Sequence, residues 1–290
     1  MNETTPTYWD YLDLPTLLNA QSGLGDGDIG PDELHFIIVH QAYELWFKLV
    51  LSQVRLARDH LVLPEVPEEA VPEVVHNINR VNEIMRLAVD QMKVMETLTP
   101  LDFLDFRDKL VPSSGFQSFQ MRELEILLGL EEAQRLHYGK VNPLTHIQKL
   151  AETSPGGAMA WGRIEAARKE VSLREALHRW LYRTPIQGST PDMEGDEEVV
   201  MEFLQAYLDL GAESRNIQAD RLAALSDDPA AVRARFAGMA ESARAFMMAE
   251  DIEGSEAKTN RIRRIRAALL FVESYRELPL LAWPRLLVDT

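Results

Sequence analysis

The chain has 290 residues, 46% apolar and 26% charged, with 30 Lys+Arg against 46 Asp+Glu for a formal charge of −16. That is the composition of a globular protein with room for a sizeable core, and so acidic a surface repels phosphate backbones and anionic lipid, which argues against nucleic-acid or membrane-surface binding. There is no cysteine, which excludes disulfides, thiolate metal sites and thiol nucleophiles and fits a reducing cytoplasm.

The start, Met1-Asn2-Glu3-Thr4-Thr5-Pro6, has neither a basic region nor an apolar run and does not read as a signal peptide. No apolar run reaches the 18 or more residues of a membrane span. Leu12, Leu14, Leu17 and Leu18 suggest a short N-terminal helix, followed by a flexible Gly-rich loop from Gly23 to Gly30. That loop lacks the strand before it and the Gly-Lys-Ser/Thr of a phosphate loop.

Pro31, with Asp32 and Glu33 behind it, suits the first turn of a long helix running to about Leu61. Pro64, Pro67 and Pro72 punctuate the connection, and Val75, Ile78, Val81, Met85, Val89 and Met92 recur at helical spacing beyond it. Pro100 restarts the chain for a short helix over 101–110, stopped by Pro112-Ser113-Ser114-Gly115, and another helix is expected from Phe116 to Leu130. Thr184 to Glu198 reads as an acidic surface loop. A last long helix from about Glu256 to Arg276 carries Arg261, Arg263, Arg264 and Arg266, which read as a solvated or inter-subunit face. No alternating strand pattern appears, so the class is all-α. The expected organisation is an N-terminal segment over 1–30 and one helical-bundle domain over 31–290.

The chemistry concentrates in two helical stretches. In Phe36-Ile37-Ile38-Val39-His40 an aromatic ring and an imidazole sit four residues apart, one turn from each other on one face. That pattern suits a pocket for something flat that offers one polar atom; a core histidine bonded to a neighbouring carbonyl is the alternative. In Phe103 to Arg107 a ring and a guanidinium again share a face, and arginine's fork binds a carboxylate through two parallel hydrogen bonds. The alternative is pairing with Asp102 or Asp108. Together the four residues complement an aromatic amino acid. Glu73-x-x-His76 and Glu175-x-x-His178 have the spacing of carboxylate-bridged metal sites, but chance supplies such pairs in a chain this rich in glutamate.

These blocks, with Tyr8-Trp9-Asp10-Tyr11-Leu12, Glu96-Thr97-Leu98-Thr99-Pro100, Asp105-Phe106-Arg107-Asp108, Ser113-Ser114-Gly115-Phe116-Gln117-Ser118, Ser274-Tyr275-Arg276 and Leu280-Leu281-Ala282-Trp283-Pro284, resemble the tryptophan 2,3-dioxygenase family. The resemblance implies an all-helical, haem b-dependent, cytoplasmic homotetramer that inserts both atoms of O2 across the indole C2–C3 bond of L-tryptophan, giving N-formylkynurenine. It implies that Phe36, Ile37, Ile38, Val39, His40, Phe103 and Leu110 line the substrate pocket, with His40 at the indole N–H as the catalytic residue and Arg107 on the carboxylate. By the same resemblance Tyr8 and Tyr11 belong to a segment exchanged with a neighbouring subunit, and Ser114 and Gly115 to the haem-side turn.

Three features depart from the family pattern. Pro31 stands where the family usually has histidine, and His35 where it has leucine. The family's haem-ligating histidine and its Gly-Thr-Gly-Gly-Ser-Ser-Gly loop fall beyond the position matching Thr290. The expectation is therefore a truncated sequence without the axial histidine, and no metal ligand is assigned. A mono-oxygenase of a substituted tryptophan, motivated by His35, and a non-catalytic binder of aromatic amino acids are the rival readings.

Overall fold

The computed structural model describes residues 7–23, 29–111, 113–134, 142–274 and 282–290. Gly25 and Gly27 of the Gly-rich loop, Pro112, His137, Tyr275, Arg276, Leu280 and Leu281 lie outside them. The described residues are helical, with one isolated bridge between Ile186 and Ser189. The chain divides into two compact units, Met1–Leu56 with Asn77–Leu173 and Ala57–His76 with Arg174–Thr290. No described helix is long and apolar enough to cross a membrane.

The N-terminal segment forms two short helices, α1 (Tyr8–Tyr11) and α2 (Leu14–Leu18), rather than one. Thr7 and Asp10 close a capping box on α1, and Asp13 breaks the run in the left-handed region. Helix α3 (Pro31–Leu61) starts at the expected proline. Helix α4 (Ala70–Met95) begins earlier than the spacing of prolines suggested, because Pro72 falls in its first turn, where no intrahelical N–H is needed. In the first unit the two helices run antiparallel: Tyr43 donates to the Ala88 carbonyl at 2.8 Å and Gln91 to the Val39 carbonyl at 3.0 Å.

The core of that unit gathers Val50, Leu51, Val54, Val81, Ile84, Leu124, Leu127 and Ala167. Each large side chain there contributes about 1.5–3 kcal/mol over its exposed state. Helix α5 (Pro100–Leu110) is started by local chemistry: Thr99 and Asp102 form a capping box around Pro100 at the first helical position.

The expected helix from Phe116 to Leu130 is broken. Gly115–Gln117 is a 3-10 turn, and Ser118 leaves helical geometry (φ −56°, ψ 104°) to cap α6 (Phe119–Leu128), accepting from the Met121 N–H at 3.2 Å. Two serines four apart each offer the backbone a competing partner, which outweighs the apolar spacing. Helix α6 ends at Gly129 in the left-handed region (φ 87°), where glycine carries no Cβ penalty. It also buries charge: Glu123 meets Arg55 at 2.6 Å and Arg163 at 2.8 Å. Helices α7 (Pro143–Ala151) and α8 (Pro155–Ala167) close on a second cluster of Leu144, Ile147, Ala160 and Ile164. A Cβ at Gly157 would lie 2.3 Å from the Leu150 carbonyl oxygen, so only glycine lets these two helices approach so closely.

Helix α9 (Leu173–Arg183) leads to the second unit, which holds α10 (Asp196–Ala223), α11 (Pro229–Met247), α12 (Glu256–Ser274) and α13 (Ala282–Asp289). Two expectations are corrected here. The stretch 184–198 is not simply a solvated acidic loop, because Ile186, Ser189 and Asp196 are buried. Nor is the arginine run of α12 uniformly solvated: Arg264 is 3% exposed. Its guanidinium donates to both Asp196 carboxylate oxygens at 2.6 and 2.9 Å and to the Tyr182, Thr184 and Ser189 carbonyls at 2.8–3.1 Å. A buried charge needs such full pairing.

Candidate active site

Helices α3 and α5 form a seam within the first unit. On α3, the rings of Phe36 and His40 lie one turn apart with centroids 4.1 Å from each other. On α5, Phe103 and Phe106 meet edge-on at 5.4 Å and 88°. Phe36 joins the two sets, 5.9 Å from Phe103 and 5.5 Å from Phe106. Such offset and edge-on rings leave aromatic walls able to take a further flat ring.

His40 Nδ1 lies 2.8 Å from the Phe36 carbonyl oxygen. A carbonyl only accepts, so Nδ1 carries the proton, and in the neutral ring Nε2 is left as an acceptor. The core-histidine alternative is thus half met: one nitrogen is used by the helix, and no group among the described residues bonds the other.

Arg107 is exposed, its Cζ 6.0 Å from the Phe103 centroid. It forms no ion pair among the described residues. Asp102 accepts from Thr99 N at 3.1 Å and Thr99 Oγ1 at 2.6 Å, so it serves the helix cap instead. The structure therefore brings together two ring walls, an acceptor nitrogen and an uncommitted guanidinium.

The other residues singled out by sequence are distributed around this seam. Ile37 and Leu110 are partly buried, Ile38 is 49% exposed, and Val39 is buried with its carbonyl taken by Gln91. His35 is partly buried, one helical turn before the buried Val39. Its Nε2 is buried and has no hydrogen-bond partner among the described residues. Tyr8 and Tyr11 are 70% and 83% exposed. Their segment is tied to α3 further along, where Gln41 bonds the Ala20 carbonyl at 2.8 Å and the Gln21 side chain at 2.7 Å.

Ser114 and Gly115 begin the 3-10 turn. Ser114 Oγ accepts from the Phe116 N–H at 3.3 Å, and no heavy atom lies within 4 Å of where a Gly115 Cβ would stand. The backbone face at Gly115 is open to a flat group. Phe106, buried at the centre of the seam, was not singled out by sequence; the signal was its position three residues beyond Phe103 and next to Arg107.

Among the described residues no three His, Asp or Glu side chains converge as a metal site. Glu73 pairs with His60 at 3.1 Å and Glu175 with Arg179 at 2.9 Å, which accounts for both Glu-x-x-His motifs. His146 Nε2 accepts from the Gln117 amide at 2.9 Å. Burial pushes the His178 imidazole below its ordinary value, against the pull of Glu175. His146 thus lies beside the 3-10 turn of Gly115–Gln117, with its Nε2 already engaged by Gln117. A cavity of about 440 Å³ lies elsewhere, in the second unit, between the start of α10 and α12. Its lining mixes acidic and basic side chains with Tyr182, whose ring Arg261 covers, and Asn260 there already holds Glu197 at 2.9 Å, so among the described residues it lacks the facing rings of the seam.

An all-α chain that sets ring walls, an imidazole acceptor and a guanidinium without an ion pair among the described residues in one seam falls in the class of helical proteins suited to a planar ligand bearing a carboxylate. Residues 1–236 match the family model described as tryptophan 2,3-dioxygenase. The chain is 42% identical over 289 residues to the tryptophan 2,3-dioxygenase of Sorangium cellulosum (strain So ce56), covering 97% of this chain and 68% of that protein. It is also 42% identical over 298 residues to tryptophan 2,3-dioxygenase 2 of Ralstonia nicotianae, covering 98% of this chain and 77% of that protein. The chain belongs to the tryptophan 2,3-dioxygenase family, which is haem-dependent.

Proposed function

We propose that this protein is a haem-dependent dioxygenase that opens the indole C2–C3 bond of L-tryptophan with O2, giving N-formylkynurenine, the first step of tryptophan breakdown by the kynurenine route. The observation that carries the reading is the α3–α5 seam. Phe36 and Phe103, packed on each other, form a joined aromatic wall for a flat ring, His40 Nε2 accepts the indole N–H, and Arg107 takes the carboxylate through its two-bond fork. Ser114 and Gly115 offer an open backbone face against which haem b would lie. Haem, when bound, supplies the activation of O2.

The chain's own residues orient and polarise. His40 is held by Phe36 in the tautomer that leaves Nε2 unprotonated, so it fixes the ring's edge and reads the N–H rather than attacking carbon. Arg107 fixes the other end, and two anchors at opposite ends of a planar substrate set which ring bond is presented. The exposed Tyr8 and Tyr11 suit a segment that reaches the site of a second subunit in a homotetramer.

The test is incubation of the purified, haem-supplied protein with L-tryptophan under 18O2. The reading expects N-formylkynurenine carrying two labelled oxygens. A product carrying one labelled oxygen on an intact indole ring would overturn it in favour of mono-oxygenation.

A further inference from the structure

Helix α5 presents two cations to opposite flanks of the seam. Phe106 faces the centre, buried against Phe36. Around the helix axis Arg107 follows it by one residue, about 100°, and Lys109 by three, about 300°. Arg107 therefore stands on one flank and Lys109 on the other. Lys109 Nζ reaches Glu33 Oε2 at 2.6 Å, while the Glu33 side chain is only 7% exposed. The other carboxylate oxygen of Glu33 lies 3.5 Å from where a Cβ on Gly23 would stand, so this carboxylate is enclosed. An exposed ion pair is loose and contributes little, whereas one whose acid is buried has a fixed anchor and a cost if left unpaired.

We propose that Glu33–Lys109 is a positioning clamp for the carboxylate half of the site: it fixes the rotation of α5 against α3 and so the place where Arg107 presents its guanidinium. The inference rests on the reading of Arg107 as the carboxylate-binding residue. Three packed rings tolerate a small roll of α5, because offset and tilted ring geometries lie close in energy. A roll of roughly 10° moves a group about 7 Å from the axis by about 1 Å, enough to spoil a two-bond fork. Tying Lys109 to an enclosed carboxylate three residues before Phe36 removes that freedom. Lys109 itself touches no substrate.

The experiment measures equilibrium binding of two probes to the full chain: indole-3-propanoate, which carries a carboxylate, and indole, which does not. The wild-type protein is expected to prefer the propanoate by about tenfold, the scale of one charge-assisted contact. Lys109→Met should cut that preference at least about threefold while leaving indole affinity unchanged, a partial misplacement of the fork rather than its loss. Lys109→Arg, which can still pair with Glu33, should restore the preference, and Glu33→Gln should behave like Lys109→Met. A Lys109→Met protein with the wild-type preference overturns the clamp. So does an equal loss of both probes, which would make the pair merely structural. A wild-type protein with no preference at all overturns the reading of Arg107 and the clamp with it.

Discussion

Two arginines show how differently the same side chain is used in the two units. Arg264 is buried on α12 and spends its donors on Asp196 and three backbone carbonyls at 2.6–3.1 Å. Arg107 on α5 is exposed, leans over the Phe103 ring and pairs with no carboxylate among the described residues. The first is finished: nothing remains on it for a ligand, and its work is to fix the stretch from Tyr182 to Asp196. The second keeps its fork for something that arrives. His40 repeats the lesson within one ring, with Nδ1 committed to Phe36 and Nε2 left over. Completed polar groups mark structure, and uncommitted ones set against aromatic walls mark a site.

If that contrast holds, Arg264→Ala should be the most damaging change to stability. It leaves the buried Asp196 carboxylate unpaired and frees three carbonyls, and should cost about 3–5 kcal/mol, read as a drop in the urea unfolding midpoint. A midpoint within error of wild type would remove the contrast. Arg107→Lys should do the reverse. It keeps the charge but not the fork, so unfolding should be unchanged while kcat/KM for L-tryptophan falls at least about tenfold, the roughly 1.5–3 kcal/mol of one charge-assisted hydrogen bond. Unchanged kinetics would return Arg107 to the surface.

A smaller effect is expected at His40. His40→Ser should weaken turnover without abolishing it and narrow the ratio of kcat/KM for L-tryptophan over 1-methyl-L-tryptophan by about two- to tenfold, because the partner that reads the N–H is gone. A ratio that stays put would show that His40 does not read that nitrogen. The smallest effect concerns His178. Burial lowers its folded pKa below its ordinary value of 6.5, with Glu175 opposing and Arg174 and Arg261 adding to the shift. The unfolded chain then takes up the proton first, so this contribution to stability is complete above about pH 6.5 and is lost as pH falls below it. His178→Gln should flatten the decline in unfolding midpoint between about pH 7 and 5. An equally steep decline would assign the acid sensitivity to other groups.

What the sequence disclosed follows from how local the signals are. Pro31 and the Thr99-Pro100-Asp102 run start helices α3 and α5 through contacts within one turn, and both starts stand where they were expected. Four-residue spacing put Phe36 with His40 and Phe103 with Arg107 on shared faces; only the tertiary packing showed that the two faces meet. Phe106 stayed unnoticed because a phenylalanine inside an amphipathic helix carries no mark distinguishing a wall from a core. Ser118 broke a helix that its apolar spacing favoured, because a cap competes with periodicity and spacing does not weigh the two. Asp196 looked solvated in an acidic run because its partner, Arg264, lies 68 residues away. The Glu33–Lys109 pair was hidden for the same reason, spanning 76 residues.

The central claim is that His40 offers an unprotonated Nε2 to an indole N–H within the α3–α5 seam. The most direct measurement is the 15N spectrum of the His40 ring, with and without ligand. The account predicts a protonated Nδ1 and a bare Nε2 in the free protein. The Nε2 signal should shift toward the hydrogen-bonded position on adding L-tryptophan and stay in place on adding 1-methyl-L-tryptophan. A proton on Nε2 in the free protein, or an Nε2 signal indifferent to L-tryptophan, would contradict it.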